Sequence, residues 1–129
     1  HASPQPLAMP PEAIARAQEL VRRGDAALGV PACTECHGAG LAGMSPAIPG
    51  LLGLPRDYIS AQFGAWRNGR LRSLAPDCMA DIARRLSASD VAGIASWLAA
   101  QPVPGNARPA PKRTGRLPMA CGSVEAAAS

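Results

Sequence analysis

Aromatic residues are scarce in this 129-residue chain, at 3% of the total: Tyr58, Phe63, Trp66 and Trp97. Much of the 47% hydrophobic fraction is alanine, which buries little area per residue, so a core of this composition is marginal on its own. The length supports one domain and not two full ones. We therefore expect something other than side chains to fill the middle of the fold.

Long apolar runs are also missing: none approaches the ~20 residues needed to cross a bilayer, so no transmembrane segment is expected. The net charge is +4, but there is no basic helix face interleaved with aromatics, which argues against a nucleic-acid partner. The basic residues either form a solvated surface or steer an acidic partner. The arginines available for such a docking patch are Arg56, Arg67, Arg70, Arg72, Arg84 and Arg85.

Composition divides the chain into three parts. Residues 1–10 contain three prolines and no periodicity, and they are expected to form a flexible lead. Residues 11–101 are periodic and form the predicted domain. Residues 102–129 are rich in Pro, Gly, Ala and Arg and predict an irregular arm. Because no charged region followed by an apolar one opens the chain, we expect that any signal peptide is not part of it.

Four segments of the domain have the apolar periodicity of amphipathic helices, and none alternates as a strand does. In the second segment, for example, Ile59, Phe63 and Trp66 follow the spacing i, i+4, i+7. The fold is therefore predicted to be all-α. The predicted helices cover about 11–23, 55–68, 77–86 and 87–101.

Residues 33–37 read Cys-Thr-Glu-Cys-His, the spacing of c-type haem attachment. Cys33 and Cys36 can each form a thioether with one vinyl group of the same porphyrin, and His37 can direct its imidazole at the iron. A zinc site needs about four ligands, which the remaining cysteines and histidine supply poorly. A thioredoxin-like pair would need a βαβ setting, and a Cys33–Cys36 disulfide is the other alternative. The motif thus predicts one covalently bound haem.

Haem iron has a second axial position, for which the sequence offers four methionines. Met79 is favoured because it lies 42 residues after His37, far enough for the chain to pass around the porphyrin edge. It also opens a predicted helix. The alternatives are Met44, Met119 and an open position, whereas a second histidine is disfavoured because His1 lies at the chain terminus.

The order and spacing of these motifs resemble the class I c-type cytochromes, especially small bacterial domains related to cytochrome c4 and cytochrome c553. The matching stretches are 29–38, 48–53, 58–63, 79–87 and 90–98, within about residues 11–101. The resemblance implies a small cytochrome c fold of about four to five helices wrapped around one covalently bound haem c.

The resemblance also implies roles for single residues. Cys33 and Cys36 match the thioether anchors of the family. His37 matches the proximal ligand of the iron and Met79 the distal one. Pro49 matches a proline whose backbone carbonyl orients the proximal imidazole, a contact that fixes the tautomer and basicity of the ligand.

Two aromatic residues and an arginine are further implied. Tyr58 and Trp66 match positions that flank the haem, although both also suit an ordinary core. The family often places an arginine where this sequence has Leu71. An arginine that contacts the haem propionates is therefore expected at Arg70 or Arg72.

Haem attachment uses two of the four cysteines and leaves Cys78 and Cys121. Haem c is attached outside the bacterial cytoplasm, where disulfides persist. We therefore expect an exported, periplasmic chain with a Cys78–Cys121 disulfide that pins the arm beside Met79. Two free thiols are the alternative.

The function predicted from these features is single-electron transfer between periplasmic redox partners, without enzymatic activity of its own. An iron with both axial positions filled leaves no room for substrate. The partners are expected to be redox proteins with an acidic docking surface, met by a monomer through small, transient contacts. The arm motivates a second hypothesis, an electron-accepting subunit or domain of a periplasmic dehydrogenase or oxidase complex. A haem enzyme or gas sensor with a labile sixth ligand is the third.

Overall fold

The computed structural model describes residues 4–45, 48–111 and 117–122, and within them the regular structure is helical. The α-helices are α1 Pro11–Arg22, α2 Cys33–His37, α3 Arg56–Arg67, α4 Cys78–Arg85 and α5 Ala88–Ala100. The all-α prediction is confirmed. The boundaries of the four predicted helices lie within one residue of those of α1, α3, α4 and α5. None of the helices in the described ranges combines the length and apolar composition that a membrane span requires.

Side-chain caps explain where the last two helices begin. The Asp77 carboxylate accepts a hydrogen bond from the backbone N–H of Ala80 at 3.2 Å and another from that of Ser73 at 2.8 Å. Ser87 and Asp90 form a capping box at the start of α5. Because Asp77 starts α4, Met79 lies in the first turn of that helix.

The turn between α1 and α2 is closed by Asp25. Its backbone pairs with Val30 in both directions, at 2.7 and 3.0 Å, and its carboxylate caps the 3₁₀ turn Ala26–Leu28. The Arg16 guanidinium donates a hydrogen bond to this carboxylate at 2.8 Å, which lowers the pKa of Asp25. These bonds return the chain to α1 and bring α2 beside it.

The core lies where α1 crosses α5, and small residues allow the two helices to approach closely. Gly93 is the point of contact: a Cβ at this position would lie 2.8 Å from the carbonyl oxygen of Ala13 and 3.3 Å from the Cβ of Ala17. Around this contact the fully buried side chains include Leu20, Val21, Ile94 and Leu98.

The Gly93 contact predicts opposite effects for two glycine-to-alanine changes. We expect Gly93→Ala to destabilise the protein by about 1–2 kcal/mol, because overpacking a close contact costs more than the helix propensity gained. Gly64 of α3 is the matched control, since a Cβ there meets no atom within 4 Å. Gly64→Ala should stabilise the protein by about 0.5–1 kcal/mol. Denaturant unfolding of both variants measures the difference, and a shift of the same sign in both would contradict this packing.

Part of the N-terminal segment, predicted to be a flexible lead, is hydrogen-bonded to the helices. The backbone N–H of Gln5 donates to the Ala99 carbonyl at 2.8 Å, and that of Ala8 donates to Ser96 Oγ at 2.8 Å. The Gln5 side chain accepts a hydrogen bond from the N–H of Arg56 at 2.7 Å. Residues 4–10 thus connect α5 to the start of α3, whereas residues 1–3 lie outside the described residues.

The C-terminal arm contacts the domain at two places and carries no named helix in its described parts, 102–111 and 117–122. Ala110 exchanges hydrogen bonds with the loop after α2, donating to Gly43 O and accepting from Ser45 N, both at 2.9 Å. Further on, Gly122 N donates to Pro76 O at 2.8 Å, just before α4. The rest of the predicted arm, 112–116 and 123–129, lies outside the described residues.

Candidate haem site

A cavity of about 410 Å³ lies between the helices and is lined by residues of all five. From α2 it receives Cys33, Cys36 and His37, and from α4 it receives Met79. The structure therefore brings together the four residues that the sequence predicts to hold a haem and its iron. They come from two helices that are far apart in the chain, which the packing against α1, α3 and α5 holds in place.

One face of α3 forms a wall of the cavity. Ile59, Phe63 and Trp66, the residues spaced i, i+4, i+7, all line it. Tyr58 lines it as well but is 49% exposed, which places this ring where the cavity meets solvent. Both aromatic residues expected beside the haem, Tyr58 and Trp66, are thus at the cavity.

The imidazole of His37 is buried and oriented by a backbone carbonyl. Its Nδ1 lies 2.8 Å from the carbonyl oxygen of Pro49, which can only accept a hydrogen bond. Nδ1 therefore carries the proton and donates it, leaving the lone pair of Nε2 for a metal. Burial lowers the pKa of His37, outweighing the Pro49 hydrogen bond, which raises it. The ring is thus neutral at pH 7, the form that binds iron.

The loop that presents the Pro49 carbonyl closes on Gly43. This residue has φ +92°, a conformation that L side chains rarely adopt. A Cβ on Gly43 would lie 2.6 Å from Ile48 O and 2.8 Å from the carbonyl carbon of Pro49. The N–H of Gly43 also donates to the His37 carbonyl at 2.9 Å. Only glycine lets the loop pass this close to the Pro49 carbonyl.

We expect Gly43→Ala to displace the Pro49 carbonyl and to destabilise the protein by about 1–3 kcal/mol through backbone strain. Weakening the hydrogen bond to Nδ1 should also make His37 less basic and change the reduction potential of the haem protein. Gly40→Ala is the control, because Gly40 lies in the same loop and a Cβ there would meet no atom within 4 Å. Thermal unfolding and redox titration of both variants test this; equal behaviour of the two would refute it.

The alternatives to haem at the cysteine pair lose support. The Cys33 sulfur forms no disulfide, and burial raises the pKa of its thiol to about 11. A redox-active cysteine needs the opposite shift, toward the thiolate. Moreover, the described part of the chain contains no group of three or more His, Cys, Asp or Glu side chains placed to hold a metal ion.

The other predicted residues divide between the cavity and the surface. Met119 lines the same cavity as Met79, whereas Met44 pairs its backbone with Ile48 and is not in the lining. Leu71 lines the cavity, but its neighbours Arg70 and Arg72 do not. Arg72 instead donates a hydrogen bond to the Gly69 carbonyl at 3.0 Å.

The arm reaches the site through the expected Cys78–Cys121 disulfide, and it also forms part of the cavity wall, which the sequence did not predict. Cys78 and Cys121 are joined by a disulfide with an S–S distance of 2.06 Å, and both line the cavity. Leu117 and Met119 line it too, so the arm forms part of its wall. Apolar side chains at alternate positions 117, 119 and 121 are the signal that could have indicated this.

These residues fit a covalently attached haem. The cavity is mostly apolar, as a porphyrin ring requires, and its polar lining includes the groups that attachment and axial ligation use, namely two cysteines, a neutral imidazole and thioethers, besides Tyr58, Gln62 and Ser73. Its size falls within the range of ~300–1,000 Å³ typical of ligand and cofactor sites.

No protein-family model matches the chain, but individual proteins do. It is 38% identical over 102 residues to a thiosulfate dehydrogenase electron acceptor of Thiomonas intermedia, covering 78% of this chain and 47% of that protein. It is 33% identical over 81 residues to cytochrome c-554(548) of Halomonas halodenitrificans, covering 60% of this chain and 98% of that protein. The chain thus spans less than half the length of the curated electron acceptor and nearly all of the small cytochrome.

Solved structures show the same similarity. A thiosulfate dehydrogenase of Marichromatium purpuratum superposes with a TM-score of 0.65 and 34% identity, over 69% of this chain and 19% of that one. Reduced cytochrome c4 of Pseudomonas stutzeri superposes with a TM-score of 0.61 and 28% identity, over 74% of this chain and 52% of that one.

Proposed function

Because the chain belongs to the class I c-type cytochromes, electron-transfer proteins that hold haem c covalently, we propose that Cys33 and Cys36 anchor its haem and that His37 and Met79 ligate the iron. The observation that supports this assignment is that all four residues line the same cavity of about 410 Å³. Bound there, the haem supplies a one-electron couple between ferric and ferrous iron.

The residues of the chain have separate tasks in this proposal. The Pro49 carbonyl keeps the proton of His37 on Nδ1, so that Nε2 faces the metal. Met79, from the other helix, would supply the second ligand to the iron and would thereby keep small external ligands off it. The apolar wall from α3 and α5 excludes water and disfavours the extra charge of the ferric state, which raises the reduction potential.

Absorption spectra of the oxidised and the dithionite-reduced protein test the ligand set. We expect a sharp c-type α band after reduction, a weak far-red sulfur-to-iron band in the oxidised state, and no prompt binding of CO. In NMR spectra of the reduced protein with labelled methionine methyl groups, the most strongly ring-shifted methyl signal of wild type should be absent from its wild-type position in Met79→Leu and should keep that position in Met44→Leu. A high-spin spectrum with rapid CO binding would instead support the haem enzyme or gas sensor.

We propose a dehydrogenase that oxidises thiosulfate as the electron donor of this chain. Support comes from relatives named for accepting electrons from thiosulfate dehydrogenase and from the similarity to a solved thiosulfate dehydrogenase. In a stopped-flow experiment, thiosulfate and a thiosulfate dehydrogenase should together reduce the haem of this protein, whereas thiosulfate alone should not. Reduction by ascorbate confirms that the haem is competent. A competent haem that the dehydrogenase fails to reduce would favour a free shuttle with other partners.

For the docking surface we propose an acidic partner. Arg67, Arg70 and Arg72 are exposed, and they adjoin Trp66 and Leu71, which line the cavity. Positive charge beside the cavity would steer an acidic protein to it. The electron-transfer rate should therefore fall with rising salt, and the triple arginine-to-glutamine variant should lose most of that dependence. Arg108→Gln, an exposed change in the arm, is the control; a salt-independent wild-type rate would exclude this surface.

We also propose a periplasmic location. Haem c is attached outside the bacterial cytoplasm, and a Cys78–Cys121 disulfide is stable in that compartment. Fractionation of cells that produce the protein should recover the haem protein with periplasmic markers. Recovery of haem-loaded protein in the cytoplasmic fraction would contradict the proposal.

A further inference from the structure

The described end of the arm, residues 117–122, presents alternate residues to the cavity and to solvent. Leu117, Met119 and Cys121 line the cavity, whereas Pro118 and Ala120 between them are exposed. The backbone bends at Pro118 and Met119, and this arrangement places Met119, like Leu117 and Cys121, at the cavity. Met119 is only partly exposed even though it lies in the arm.

Independent contacts hold this segment beside α4. The disulfide joins Cys121 to Cys78 with a Cα–Cα distance of 4.9 Å, and Cys78 immediately precedes Met79. The N–H of Gly122 donates to Pro76 O at 2.8 Å, and a Cβ on Gly122 would overlap the carbonyl oxygen of Ala75. Met119 is therefore fixed two residues from a covalent link that ends next to the proposed distal ligand.

The cavity thus contains two thioethers on separate elements, Met79 in the first turn of α4 and Met119 in the arm. Both side chains are unbranched and flexible, and both offer the same soft, neutral sulfur to a metal. Met44 differs from them because it is not in the lining. A core that needed only filling could use leucine at either position.

We propose that Met119 is a second axial ligand of the haem iron, which takes the position opposite His37 when Met79 leaves it. This inference rests on the proposed function, because it requires iron ligated by His37. In the exchange the bond from iron to the Met79 sulfur breaks and a bond to the Met119 sulfur forms, with no transfer of an electron or a proton. As a consequence, external ligands could not bind the iron while Met79 is displaced.

Methionine-to-leucine variants of the haem-loaded protein test the exchange. Met79→Leu should remain low-spin, keep a far-red sulfur-to-iron band at a shifted wavelength, and still bind CO slowly. Met79→Leu combined with Met119→Leu should become high-spin, lose that band and bind CO promptly. Met44→Leu, the control, should leave the spectrum unchanged. If Met79→Leu is already high-spin, or if adding Met119→Leu changes nothing, the proposal is wrong.

The tether provides a second test. In the Met79→Leu background, replacing both Cys78 and Cys121 by serine should release the arm and remove the far-red band. A measurement on the protein with Met79 intact covers the case in which the Met79 variants fail to fold: Met119→Leu alone should bind CO several-fold faster than wild type after reduction. An unchanged CO rate would overturn the proposal. Because the wild-type spectrum tests the ligation by His37 separately, failure of the proposed function can be distinguished from failure of this inference.

Discussion

Replacing both Cys33 and Cys36 by serine should abolish covalent haem attachment, so that no haem stays with the chain after denaturation. Without the haem, the double variant should also fail to fold stably. The cavity that these cysteines line has a volume of about 410 Å³. At ~24 cal/mol per Å³ of cavity, leaving this space empty would cost at most about 10 kcal/mol. That is comparable to the whole stability of a small domain, about 5–15 kcal/mol.

Circular dichroism and thermal unfolding of the purified double variant measure this loss. Helix content should fall and the cooperative transition should disappear, because α3, α4 and α5 would have lost the group against which they pack. Thr34→Ser, between the two cysteines, should keep both the haem and the transition. A haem-free double variant with wild-type helix content and a cooperative transition would show that side chains alone fill the core.

The ends of four of the five helices, all but the short α2, could be predicted to within one residue because local signals mark them. Pro11 suits a first turn, Asp77 and Ser87 are strong caps, and Pro102 cannot continue α5. The α3 face could be predicted as well, since a spacing of i, i+4, i+7 has one geometric meaning. The cysteines and histidine of 33–37 could also be predicted as site residues, because haem attachment requires this close spacing in the sequence.

Contacts that depend on the backbone could not be read from the residues alone. The hydrogen bond from His37 is accepted by the backbone carbonyl of Pro49, and every residue has such a carbonyl. Only the family resemblance therefore predicted this contact. Gln5 and Ala8 are held through main-chain groups in the same way. The arm was predicted to be irregular because it is rich in Pro, Gly, Ala and Arg, and an alternation over only residues 117–121 is too short to distinguish from chance. Its role as a cavity wall becomes apparent only when the disulfide brings it to α4.

Replacing both Cys78 and Cys121 by serine should lower the free energy of unfolding of the haem protein by about 4 kcal/mol. The two cysteines are 43 residues apart, and opening a loop of this length returns that much conformational entropy to the unfolded chain. Covalent haem attachment at 33–37 does not replace the constraint, because it crosslinks neither end of the loop. The effect should therefore appear in full even with the haem in place.

Denaturant unfolding of the oxidised double variant, compared with wild type before and after thiol reduction, measures the effect. Reduced wild type should match the double variant, since both lack the crosslink while Gly122 can still donate to Pro76. The far-red band distinguishes a loss of overall stability from a local loss of the iron ligand. If Met79 stays bound, the band persists while the unfolding midpoint falls. A variant as stable as oxidised wild type would mean that the arm is not crosslinked to α4 in solution, and a band lost without a stability change would mean that the disulfide acts on the iron ligand alone.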